Sequence, residues 1–372
     1  MPAPDGDGRR RRPGIAGRVR LHPQAAQAKA GTGAAPLTAG EARQPVGHPP
    51  SSPVAAAVGS TSEAVATTTD LAGAVLTEPA GGQVISRGGM AGRIVRTFVE
   101  NKLAVAGLVI IVAALLFSFV GPMLYHTNQT NASQALLDSI QNAPPGAGHP
   151  LGTDPSGFDI LGRLMVGGQI SLIVGFAAAA IASVVGALYG AISGFFGRWL
   201  DALMMRIVDA FLSIPVLFLA IVLAVIFRPS LPVFIFVIAF VSWLVPARLI
   251  RGETLSLRVR EYVQAVRAMG GRRSRVILRH IIPNTIGTII VNATFNVADA
   301  ILLLAALGFI GLGVPAPQTD WGSMLSNGVS YALDGYWWEI VPAGLCIVLV
   351  VVAFNFIGDA LRDALEVRLQ QR

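Results

Sequence analysis

Long uncharged runs alternate along this chain with short basic segments, and the lengths of the runs predict the elements. A helix needs about 20 apolar residues to cross a bilayer core. Leu103–Val120 is free of charge and is followed by Gly121-Pro122, a pair that predicts a helix end. No formal charge separates Arg163 from Arg198, which leaves room for a second span near Ile170–Gly194. Asp209 and Arg228 bracket a third, Ala210–Phe227, and Arg228 and Arg248 bracket a fourth, Leu231–Ala247. The intervening Arg228-Pro229-Ser230-Leu231-Pro232 is short, so the two helices form a hairpin. A fifth span falls between Thr285 and Ile310, interrupted by Asp299 and loosened at its end by Gly308, Gly311 and Gly313. The sixth falls between Ile340 and Ile357. The pattern is that of an all-α, polytopic membrane protein with six transmembrane helices.

Charge orients these spans. Only 13% of residues are charged, where a soluble domain carries about a quarter. Basic residues cluster between Arg87 and Lys102, at Arg198 and Arg206, and at Arg362, Arg368 and Arg372. The densest run is Arg251, Arg258, Arg260, Arg267, Arg272, Arg273, Arg275 and Arg279. The opposite side offers Arg163 and Arg228. Positively charged loops stay in the cytoplasm, so both termini are expected there, and Tyr336, Trp337 and Trp338 are expected at the outer interface. The same asymmetry accounts for the net charge of +7 without a nucleic-acid partner. The densest basic run holds a single aromatic residue, Tyr262, too few for the stacking that bases would need.

Residues 1–86 differ in kind. They are rich in Ala, Gly, Pro, Ser and Thr with no periodic apolar face, and they read as a disordered cytoplasmic tail preceding a transmembrane domain over residues 87–372. Arg9 to Arg12 is not followed by an apolar run, so it does not read as a secretory signal.

The signals of an enzyme are missing. A phosphate loop needs a Gly-Lys pair, and the two lysines, Lys29 and Lys102, follow Ala28 and Asn101. The five histidines form no metal-binding pair, and no G-x-S-x-G elbow occurs. Charges within the spans are too few for a proton relay, so an ion-coupled carrier has little support from the residues. Cys346 is the lone cysteine, so no intrachain disulfide forms.

The segment 251–284 carries the most organisation. Tyr262, Ala265, Val266 and Met269 fall at i, i+3, i+4 and i+7, on one helical face. Gly270-Gly271 stops that helix. A second piece runs from Arg272 to Ile282, and Pro283 is expected to close it at the membrane boundary. By periodicity alone, such a helix either docks into a groove of a soluble partner or lies on anionic lipid.

The run Glu261-Tyr262-Val263-Gln264-Ala265-Val266-Arg267-Ala268-Met269-Gly270, with Arg279-His280-Ile281-Ile282-Pro283-Asn284, resembles the coupling loop of ABC importer permeases. Ala265, Gly270 and Pro283 match that pattern, while Gln264 replaces its usual Glu and Val266 its second Ala. The resemblance extends over most of residues 93–372. Asn101-Lys102-Leu103-Ala104, Leu151-Gly152-Thr153-Asp154 with Asp159 and Arg163, and Phe309-Ile310-Gly311-Leu312-Gly313 are similar to segments of the C-type permeases of dipeptide, oligopeptide and nickel importers. Phe158 stands where that pattern has Arg.

The resemblance implies a type I importer permease fold and a substrate of di- or oligopeptides, with nickel or another small polar solute as the alternative. It also implies four kinds of partner. These are a homologous B-type permease, two ABC ATPase subunits that hold ATP and Mg, an extracytoplasmic substrate-binding protein, and the lipid bilayer. The chain itself would carry no cofactor. Glu261, Tyr262, Gln264, Ala265, Val266, Met269 and Gly270 become candidates for coupling to the ATPase.

Asp299, with Asn296 and Asn292, is a candidate for the translocation path; the alternative is a carboxylate satisfied by those asparagines or by the partner permease. Such a charge is costly in mid-membrane and faces protein or water. Gly186, Gly190 and Gly194 repeat every fourth residue, a spacing for close helix approach. Asn128-Gln129-Thr130 and Asn131-Ala132-Ser133 match glycosylation acceptors.

Overall fold

The computed structural model describes Arg96 and residues 98–133, 135 and 141–370, with side chains as far as residue 365. The tail expected over residues 1–86 lies outside them. Among the described residues the chain is helical without strands, apart from one isolated bridge between Thr153 and Asp159. Among the described residues four helices are long and apolar enough to cross a membrane, and the count reaches six if each of two bent pairs is one span.

The first span begins at α1 (Lys102–Leu115), whose N-cap Asn101 accepts from the backbone N–H groups of Leu103 and Ala104. It does not stop at Gly121-Pro122. A π-turn, Leu116–Val120, is followed directly by α2 (Gly121–Leu124), and the span runs to Leu124. The same device recurs before Pro283. There α9 (Arg273–Val276) passes through a π-turn, Ile277–Ile281, into α10 (Ile282–Leu307), so Pro283 does not close the helix. A proline inside an α-helix lacks an N–H and collides with the carbonyl four residues back. The π-turn widens the ladder by one residue, with Gly121 N–H bonding Leu116 O and Ile282 N–H bonding Ile277 O. Each proline then falls in the first turn of a fresh α-segment, where no N–H is required.

The second span, α3 (Ile160–Phe196), is much longer than the run Ile170–Gly194. The third is two helices, α4 (Arg198–Leu212) and α5 (Val216–Ile226), bent by 83°. Asp209 therefore lies inside α4 and does not bound the span. Pro215 cannot continue α4 and forces Ile214 toward extended backbone, and no π-turn relieves it. The fourth span pairs α6 (Leu231–Ser242) with α7 (Leu244–Leu257) across a 41° kink, where Pro246 denies Ser242 O its i+4 donor. The hairpin between α5 and α6 is as expected. Beyond α7 come α8 (Glu261–Ala268), the long α9–α10 helix ending in a third π-turn at Gly308–Leu312, then α11 (Trp321–Ala332) and α12 (Trp337–Gln370). The Arg251–Leu257 part of the expected loop is thus helix.

Helix α3 is the spine, packing on α6, α7 and α10, while α12 packs on α1, α10 and α11. Apolar burial does not drive helix association in lipid, where close backbone approach and dispersion do. The glycine stripe supplies that approach. A Cβ at Gly186 would meet Pro246 Cβ at 2.6 Å, one at Gly190 would meet Arg251 N at 2.8 Å, and one at Gly194 would meet Thr254 Cβ at 2.8 Å. The expected packing role of the stripe is what the α3–α7 seam displays.

The N-terminal end of α3 is capped by Asp159, which is fully buried. Its carboxylate accepts from Gly162 N–H at 2.7 Å and from the Tyr125 hydroxyl at 3.1 Å, and meets His149 Nδ1 at 2.8 Å. Burial and the neighbouring Asp159 charge push the Tyr125 phenol up to about 12. Asn128 is 5% exposed, donating to Gly157 O and accepting from Asp159 N–H, so it is closed to glycosylation. Arg163 is buried, with Nε 3.4 Å from Asp154, its guanidinium 4.5 Å from the Phe158 ring centre and Nη1 donating to Pro317 O. Burial raises the Asp154 carboxyl, an effect opposed by Arg163 and by backbone donors. Phe158, which stands where the resembled pattern has Arg, is the platform for Arg163. Trp337 is half exposed, but Trp338 is 8% exposed and packs in the core, so only part of the aromatic set sits at a surface.

Candidate functional site

The corner at the C-terminal end of α3 is assembled from parts of three helices. Asp201 on α4 binds Arg251 on α7 through two bonds of 2.5 and 2.6 Å and accepts from Ser193 Oγ on α3 at 2.5 Å. Arg258 Nη1 donates to Gly194 O at 3.0 Å. Arg248 reaches Asp209 at 2.5 Å. Two arginines that a charge count reads as topology signals, Arg251 and Arg258, therefore clamp the end of α3. The sequence reading missed these ties; the signal was Asp201 and Asp209, the acids of an otherwise basic boundary.

Helix α8 hangs from this clamp. Val263 is fully buried and Val266 partly so, packing with Ala191, Phe195, Ile250 and Ile277. The opposite side is bare: Tyr262 is 42% and Met269 80% exposed, and Glu261, Gln264, Ala265 and Arg267 are exposed as well. The predicted apolar face thus splits. Val266 belongs with Val263 on the inner side, while Tyr262, Ala265 and Met269 look outward. Val263 was overlooked because the i, i+3, i+4 count was anchored on Tyr262. The helix ends as expected at Gly270, whose φ of +80° suits glycine. Gly271 N–H bonds Val266 O and Gly270 N–H bonds Arg267 O, a paired closure of the last carbonyls. Gln264 Nε2 donates to Val259 O at 3.0 Å, tying α8 back to the end of α7. A glutamate, being acceptor-only when ionised, could not make that bond.

The second candidate group lies in the membrane. Asp299, Asn292 and Asn296 come together on one wall of an open cavity of about 470 Å3, faced by Val216 and Leu217 of α5 and Val245 of α7. Asn296 Nδ2 donates to Asn292 Oδ1 at 3.4 Å. The two amides thus engage each other, and Asp299 is exposed to the cavity without a hydrogen-bond partner among the described residues. Within this chain the asparagines do not satisfy the acid.

A helical bundle built on glycine-seamed spans, with an exposed amphipathic helix on the loop between the fourth and fifth spans, is the class of a membrane permease. The chain belongs to the binding-protein-dependent transport system inner membrane component family, whose pattern matches residues 186–371. Residues 89–145 match the N-terminal TM domain of oligopeptide transport permease C. The chain is 41% identical over 273 residues to the dipeptide transport system permease protein DppC of Alkalihalophilus pseudofirmus, covering 73% of this chain and 88% of that one. It is 40% identical to the oligopeptide transport system permease protein OppC of Bacillus subtilis, over 74% of this chain and 88% of that one. A chain of the MetNI methionine ABC transporter, solved in inward-facing form, aligns with a TM-score of 0.45 at 20% identity, covering 54% of this chain and 96% of that chain. The protein is therefore an integral inner-membrane transport component of an ABC importer, working with other subunits, and its fold is that of the importer permeases.

Proposed function

We propose that this chain is the C-type permease subunit of an importer for dipeptides or oligopeptides. In this reading residues 87–372 form the transmembrane domain behind a cytoplasmic tail, with both termini in the cytoplasm. A homologous B-type permease completes the passage, and an extracytoplasmic binding protein delivers the peptide. Two separate ATPase subunits bind ATP and Mg and hydrolyse the nucleotide. The names of the relatives support the substrate class, and the basic inner loops support the orientation.

The observation that carries the mechanism is α8: an eight-residue helix held by Val263 and Val266 while Tyr262, Ala265 and Met269 stay bare. Seated in a cleft of an ATPase subunit, it would transmit nucleotide-driven closure through the Arg251–Asp201 and Arg258–Gly194 ties into α3, α4 and α7, and rock the passage between outward and inward access. Asp299, with Asn292 and Asn296, would line that passage and meet the ammonium group of a peptide. The test is the Ala265→Asp variant in the complete importer reconstituted in vesicles. Peptide uptake is expected to fall at least tenfold, with ATP hydrolysis no longer stimulated by loaded binding protein. Normal stimulation and uptake in a well-assembled variant would remove α8 from the coupling role.

A further inference from the structure

The cavity lining reaches Val245 on α7 and Asn292 on α10, and the faces of the two helices continue past it. On α7, Val245, Leu249 and Glu253 fall at i, i+4 and i+8 and share a face. On α10, Asn296, Asn292 and Thr288 descend in the same steps. The two faces meet at the bottom, where the Thr288 hydroxyl donates to Glu253 Oε1. The other carboxylate oxygen, Oε2, is buried and has no partner among the described residues. Thr288 lies eleven positions from Asp299, about 16 Å along the helix.

The charges that α7 and α10 turn toward each other have one sign. Asp299 is the charged residue of the cavity wall. The arginines of α7 are all engaged elsewhere: Arg248 with Asp209 and Arg251 with Asp201. Arg258, just past α7, is held by Gly194 O. The face of α7 turned toward α10 thus presents Glu253 and no cation. In a low-dielectric setting an uncompensated buried carboxylate oxygen is a strong acceptor for a charged donor.

We propose that Glu253, held by Thr288, is a second and inner binding station for the cationic end of the substrate, an ammonium or guanidinium group. With Asp299 above it, the station makes the passage favour peptides of neutral or positive charge over acidic ones. The proposal rests on the peptide-importer reading and adds to it a charge preference set by the permease itself.

The test uses the complete importer in vesicles, with initial uptake measured at saturating binding protein. The probes are trialanine, a lysine-containing tripeptide and a glutamate-containing tripeptide. Wild type is expected to move the lysine peptide faster than the glutamate peptide. Glu253→Gln keeps the shape and a bond to Thr288 but removes the charge. It is expected to slow the lysine peptide about tenfold, shift trialanine far less, and erase the preference. Glu253→Asp, which keeps the charge, is expected to retain the ranking. An equal loss for all three peptides would mean that Glu253 only latches α7 to α10, and the proposal falls. An unchanged ranking in Glu253→Gln overturns it as well. A wild-type importer that moves none of the three peptides overturns the peptide reading instead, which separates the two failures.

Discussion

At the N-terminal end of α3, Asp159 lies under a closed set of donors: Gly162 N–H, the Tyr125 hydroxyl and His149, with Asn128 behind it. Further along α3, near Gly167, Asp320 caps α11, accepting from Ser323 N–H and Oγ and from Val314 N–H, while Trp321 Nε1 donates to Leu164 O. At the C-terminal end of α3, α8 has no side-chain N-cap and hangs on two valines and the Gln264–Val259 bond, with its opposite face bare. Local stability follows buried contacts and satisfied polar groups. The Asp159 and Asp320 caps are completed by donors within the chain, whereas α8 leaves one face to be completed by something that covers it.

Substitutions ranked by their cost to the isolated chain can break this contrast. The largest effect belongs to the seam on which both ends hang. Gly190→Leu places a side chain into the backbone of α7 and is expected to cost about 3 kcal/mol or more, seen as loss of the monodisperse protein in detergent. Asp201→Ala strips the Arg251 clamp and is expected to cost about 2 kcal/mol. That is less than for a wholly buried pair, since Arg251 keeps solvent contact, and a thermal melt reads it. Asp320→Ala leaves the α11 N-terminus and Val314 N–H without an acceptor, for about 1–2 kcal/mol, and amide exchange should rise across Gly313–Ser323. Met269→Ala should cost under about 0.5 kcal/mol, since the side chain is 80% exposed. Yet it should weaken ATPase binding about tenfold, measured by co-purification across a concentration series. A stability loss at Met269 as large as at Asp320 would erase the distinction between the two ends. Asp299→Asn is expected to change stability least and to lower uptake several-fold with assembly intact, scored by transport per assembled complex.

Much of this was readable from the residues. The charge-free runs located the spans, the every-fourth glycines gave the α3–α7 seam, and Gly270 gave the stop of α8. What failed was local reading of proline. Pro122, Pro215 and Pro283 look alike in sequence, yet two lie in continuous helices and one at an 83° bend. The difference is whether the preceding turn widens, which depends on how the neighbours pack. The fourth span was cut short at Arg248 because a charge reads as a membrane boundary; α7 carries it and Arg251 onward because Asp209 and Asp201 neutralise them. In the site, Ala265 and Met269 were found by period, whereas Val263, Glu253 and Thr288 were not. Their roles depend on which helix lies opposite, and a single chain of letters does not state that.

The π-turn at Ile277–Ile281 also sets a phase. It holds one residue more than an α-turn, and each residue of a helix turns the chain by about 100°. That surplus residue is what brings Asn292, Asn296 and Asp299 to the cavity side when Val276 and Ile277 are already committed to packing under α8. Removing a single residue from the turn would restore an ordinary helix and swing the whole polar stripe out of the cavity, leaving every side chain in it chemically intact. In this stretch of sequence the spacing of residues therefore carries functional information apart from their identity, and a one-residue deletion there should be more harmful than most substitutions.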